Sequence, residues 1–194
     1  MPILTYNEGW MLYNCFLAIL ALGFGYFFLI SQNHIVKIAF GILWLLFFPN
    51  TIYIFTDLEH FIDQWPLLSW TFRIPLFLQY ALLEIIGFVT FAFGLYPFEQ
   101  ILLLQKKLKK HKIAALIIFN FLIAFAMVLG RVERINSWEV FTDPLKVLNS
   151  ALHVFFSSKL LGLVFLFGIL CNCFYFLFRD RILRLMRKYL QVLD

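Results

Sequence analysis

The chain has 194 residues, of which 63% are hydrophobic and 20% aromatic, with 26 Phe and a formal net charge of +5. A soluble domain is usually about 45–50% apolar, so this composition excludes a water-soluble enzyme or nucleic-acid-binding domain as the first reading. The Lys and Arg residues gather at 105–112 and 179–188, beside apolar runs, where positive charge sets membrane topology and meets anionic lipid rather than nucleic acid.

The first apolar run, near 10–30, follows a start without Lys or Arg, so it reads as a retained span and not a cleaved signal segment. Further runs of at least about 18 apolar residues, the length that crosses about 30 Å of hydrocarbon, fall near 35–55, 75–104, 112–131 and 159–179. Pro49-Asn50 cuts the second run, and the missing amide predicts a kink whose freed carbonyls need partners. Glu84 falls about 13 Å into the third run, near mid-hydrocarbon, where a carboxylate is protonated or pairs with Gln79, Tyr80 or Asn120.

The connector Gln-Lys-Lys-Leu-Lys-Lys-His-Lys at 105–112 is the strongest short positive loop and belongs in the cytoplasm. That choice puts the first connector, with His34 and Lys37, and the C-terminal tail inside, and it leaves the N-terminus, 56–74 and 132–158 outside. Segment 144–157 is too short to span and reads as a surface helix, and the Arg-rich tail 180–193 reads as a basic interfacial helix. Cys15, Cys171 and Cys173 sit inside apolar runs and support neither a disulfide framework nor a zinc site. The prediction is an all-α, polytopic transmembrane helix bundle of about five spans. It forms a single domain over 1–194, with the N-terminus outside and the C-terminus cytoplasmic. No metal is expected, and the sequence points to no particular cofactor.

Two outward segments hold most of the unusual polar residues, 48–60 and 130–138. A helix continuing past Pro49 places Asn50, Tyr53, Asp57 and His60 on one face. Helical spacing in the second segment would likewise align Arg131, Arg134 and Trp138, with Asp57 as the natural partner of the guanidinium groups. Trp10, Trp65, Trp70 and Trp138 otherwise read as interfacial belt residues.

The strings Phe48-Pro49-Asn50-Thr51-x-Tyr53-x-x-Thr56-Asp57-Leu58-x-His60 and Gly130-Arg131-x-x-Arg134-x-Asn136-Ser137-Trp138-x-Val140, followed by Pro144, resemble the bacterial membrane family known as domain of unknown function 1361. The resemblance implies a multi-pass protein of the bacterial cytoplasmic membrane. It marks Asn50, Tyr53, Thr56, Asp57, His60, Arg131, Arg134, Asn136, Ser137 and Trp138 as the signature, and it implies no chemistry. Ile52 departs from the pattern, where many members carry a small residue or proline.

Three functions fit these residues. The first is binding or transport of a small anionic ligand or lipid headgroup at the outward polar cluster, with Glu84 as a buried acid below it. The second is a structural or assembly subunit whose polar cluster is internal glue and whose aromatic faces meet another membrane protein. The third is an intramembrane enzyme acting on a lipid-linked substrate. His60, Asp57 and Glu59 offer it either an acid–base set or carboxylate–imidazole ligands, although neither His-Glu-x-x-His nor Gly-x-Ser-x-Gly occurs. The lipid bilayer is the expected surrounding in all three.

Overall fold

The computed structural model describes residues 2–104 and 110–190, and over them the chain is helical without strands. Among these residues five helical stretches are long and apolar enough to cross a membrane: Ile3–Ile30, His34–Leu67, Trp70–Leu104, Lys112–Arg131 and Ser158–Met186. Residues 105–109 of the basic connector, on which the expected orientation rests, and 191–193 of the tail lie outside the described residues.

Helix α1 (Pro2–Ile30) is apolar all round, as suits a rod with protein on one side and lipid on the other. Helix α2 (His34–Phe47) begins where the Asn33 side chain accepts hydrogen bonds from the Ile35 and Val36 amides. It stops before Pro49, and α3 (Asn50–Thr56) and α4 (Leu58–Gln64) continue the same crossing with a further break at Asp57. A 3₁₀ turn, Trp65–Leu67, leads to α5 (Trp70–Gly94) and α6 (Tyr96–Leu104). Then come α7 (Lys112–Arg131), the short α8 (Glu139–Thr142), α9 (Pro144–Phe156) and α10 (Ser158–Leu190). The basic segment from Asp180 onward is an unbroken continuation of the last spanning helix.

Helix α1 packs along α2, α3 and α5, while α7 packs along α10 and touches α3 and α6. In lipid the hydrophobic effect does not drive helices together, so close packing and polar contacts must. The packing is largely aromatic: Trp44 stacks on Phe119 with ring centres 5.7 Å apart, Phe48 on Phe91 at 5.8 Å, and Phe98 on Phe119 at 4.0 Å. Gly94 makes room for Phe48, and its carbonyl accepts the Trp44 indole N–H at 3.0 Å. Large apolar side chains such as Ile38, Leu82, Leu122, Phe165 and Leu177 face outward, uncovered by protein.

Polar contacts mark the two ends of the bundle. At one, Asn7 and Gln64 exchange two amide hydrogen bonds at 2.7 and 3.0 Å. At the other, the fully buried Glu99 receives Tyr175 and Arg179 as hydrogen-bond donors, and Lys112 stands 3.4 Å away.

Candidate functional site

Pro49 supplies no amide, so carbonyls near it lose helical partners. Side chains of both sequence signatures take their place: Asn50 Nδ2 donates to the Phe47 carbonyl at 2.8 Å, Thr51 Oγ1 to that of Phe48 at 2.8 Å, and Ser137 Oγ to that of Leu46 at 2.7 Å. Ser137 thereby ties the second signature to the break created by the first, across 91 residues of sequence. Thr56 is occupied locally, donating to the Tyr53 carbonyl at 2.6 Å.

The expected face of Asn50, Tyr53, Asp57 and His60 is present and turns toward α1 and the end of α7. Asp57, with no exposed surface, accepts a hydrogen bond from Asn14 Nδ2 at 2.9 Å and pairs with Arg131 Nη2 at 3.0 Å. The same Nη2 lies 3.3 Å from His60 Nε2, and Trp10 meets the His60 ring edge-on at 5.6 Å. Gly130 packs directly under the Tyr53 hydroxyl, where any larger residue would collide.

The expected helical alignment of Arg131, Arg134 and Trp138 does not occur. Helix α7 ends at Arg131, Arg134 takes a left-handed conformation (φ 55°), and the Ile135 amide returns to the Leu129 carbonyl at 3.3 Å. One long-range contact and two local ones hold this loop. Besides the Ser137 tie, the Asn136 amide donates to Glu139 Oε2 at 2.7 Å, and Lys146 holds Glu139 Oε1 at 2.6 Å. The hydrogen bond from Lys146, joined by that from Asn136, keeps the Glu139 carboxyl below the usual carboxylate range. Arg134 is exposed and, among the described residues, has no ion pair.

The expected partners of Glu84 are all engaged elsewhere. Asn120 donates to Asn172 at 2.9 Å, Gln79 to the Leu4 carbonyl at 3.2 Å, and Tyr80 to Gln64 at 3.4 Å. Tyr80 is drawn toward the Asn7–Gln64 pair, and Glu84 Oε1 is left buried without a hydrogen bond among the described residues.

Between α1, the Pro49 break and the 132–138 loop lies a cavity of about 150 Å³. Asn14, Asn50, Tyr53, Asn136, Ser137 and Trp138 line it, together with Tyr13. Five of the ten signature residues therefore surround one space, while Thr56, Asp57, His60, Arg131 and Arg134 do not line it. No charged side chain is among the lining residues. No group of three or more His, Cys, Asp or Glu side chains among the described residues is placed to hold a metal ion.

Sequence reading overlooked the contribution of α1. Asn7 and Asn14 stand two turns apart on it, and each meets a polar residue of the second crossing. Glu99, a second acid in the third run, was also passed over, although an acid within a span needs a partner and Arg179 supplies one.

Residues 13–174 match the family described as protein of unknown function (DUF1361). No curated protein and no solved structure matches the chain.

Proposed function

The chain belongs to the DUF1361 family of unknown function, and from that premise we propose that it binds a small polar ligand, free or as a lipid headgroup, in the cavity beside Tyr53 and Asn136. One observation carries the reading. Five of the ten signature residues line a cavity of about 150 Å³, and among the described residues the Tyr53 hydroxyl, the Asn136 side chain and the Trp138 indole N–H have no hydrogen-bond partner. Small-molecule sites combine a concave wall with a few convergent polar groups, and polar groups left open in this way gain when a ligand satisfies them. The orientation inferred from the basic connector puts the cavity on the outer side of a bacterial cytoplasmic membrane. Arg131 is engaged by Asp57 and His60, so it supports the cavity wall from behind and leaves the ligand contacts to neutral groups.

The burial of Asp57 favours a second, structural reading, in which its pairing with Arg131 locks α3 to α7. Breaking a buried pair from one side costs about 3–5 kcal/mol, because the remaining charge is stranded. Asp57→Asn, Arg131→Gln and the double variant, followed by thermal melting in detergent, separate the two readings. Each single change is expected to lower the melting temperature and the double to recover most of it. Tyr53→Phe and Asn136→Leu are expected to leave melting of the unliganded protein nearly unchanged while removing a co-purifying small molecule from the mass spectrum. If the bound species survives both, the cavity is not the site.

A further inference from the structure

A second, more apolar space of about 120 Å³ lies beside the cavity, and Tyr53, Gly130, Ile135, Asn136 and Ser137 line both. The remaining lining of this second lobe is apolar, from Leu45, Leu46 and Pro49 at the end of α2, Ala126 and Leu129 on α7, and Val140 and Val147 beyond it. Ala126 and Leu129 lie up to about 8 Å before the α7 terminus at Arg131, between about half a turn and one and a half turns back along the helix. The polar lobe lies between the middle of α1, the Pro49 break and the 132–138 loop, and the apolar lobe between the end of α2, the last turns of α7 and the helices that follow the loop. Resting on the reading given above, we infer that the ligand is an amphiphile from the bilayer, with a small uncharged, hydroxyl-bearing headgroup in the polar lobe and the first methylenes of its chain in the apolar lobe.

The headgroup chemistry follows from which atoms are left over. Asn14 commits its Nδ2 to Asp57, and Asn50 commits its Nδ2 to the Phe47 carbonyl. Each leaves its carboxamide oxygen without a hydrogen bond among the described residues. An oxygen accepts and cannot donate, so these two positions call for a ligand that brings its own donors, while the Tyr53 hydroxyl and the Trp138 indole N–H call for an acceptor; a hydroxyl group supplies both. A carboxylate or fully ionised phosphate brings no donor, and no Lys or Arg lines the lobe to receive one. Size agrees with this choice. A lobe of about 150 Å³ has room for a glycerol-sized headgroup.

The test is thermal melting of the full chain in detergent with three probes: monoolein, glycerol, and oleoyl lysophosphatidic acid. Monoolein is expected to raise the melting temperature, glycerol at equal concentration to leave it unchanged, and the lysophosphatidate to act more weakly than monoolein. Ala126→Phe, which fills the apolar lobe, is expected to weaken monoolein at least about tenfold. Val147→Phe does the same from the surface helix if the α7 variant fails to fold. If glycerol acts as strongly as monoolein and filling the apolar lobe has no effect, the amphiphile inference is overturned while the small-ligand reading stands. A stronger effect of the lysophosphatidate overturns the uncharged headgroup. If no probe acts and Asn136→Leu removes no co-purifying species, both readings fall together.

Discussion

At Gly130 an added methyl group would fall on the Tyr53 hydroxyl, so the two signatures are joined by shape as well as by hydrogen bonds. Gly130→Ala is expected to lose about 1–3 kcal/mol, the usual scale of overpacking, and Tyr53→Phe in the same chain to recover part of it. Melting of the two singles and the double measures this coupling, and strict additivity would show that the contact is not what fixes the glycine. Asn50, Thr51 and Ser137 serve the backbone around Pro49. Their presence in the signature thus follows from the proline, independently of any ligand.

Helix α9 presents three faces. Val147 and Val154 turn toward the protein, and Val154 is fully buried. Lys146, Ser150 and His153 share a second face, while Leu145, Leu148, Leu152 and Phe155 form an uncovered apolar stripe. At 13 residues the helix is about 20 Å long, too short to span but well suited to lying in the headgroup region with that stripe downward. In vesicles containing a chain whose three native cysteines are replaced, Leu148→Cys is expected to resist a water-soluble maleimide and Ser150→Cys to react. Equal labelling would place the whole helix in water.

Apolar run length was enough to locate the spanning helices, because crossing hydrocarbon imposes a length that few other structures need. The kink at Pro49 was equally legible, since a missing amide has one meaning. The loop after Arg131 was not. Nothing in Arg131-Val132-Glu133-Arg134 breaks a helix locally, and the turn is set by Ser137 reaching a carbonyl in another helix. The cavity lining was half legible for the same reason. Asn14 and Tyr13 come from a helix with no clear polar face, and only tertiary packing brings them beside Asn50.

Across the whole molecule, charge is concentrated at opposite ends of the bundle, Asp57 with Arg131 at one and Glu99 with Arg179 and Lys112 at the other. The second set joins α6, α7 and α10, and the Asn120–Asn172 hydrogen bond joins α7 to α10 farther along. Glu99→Gln strands two cations and is expected to lower stability by about 3 kcal/mol or more. Glu99→Gln combined with Arg179→Met is expected to be milder than the first change alone. Melting in detergent distinguishes these outcomes, and a Glu99→Gln protein as stable as the parent would mean that solvent already screens the cluster.

The 33 residues of α10 amount to about 50 Å of helix, well beyond the thickness of hydrocarbon. Arg179 sits about 32 Å along it, clasped by Glu99, and the helix continues without a hinge for some 16 Å more. The stretch beyond Arg179 therefore extends rigidly from a part that is packed along α7, and the positive charge it carries is held at a fixed reach from the bundle.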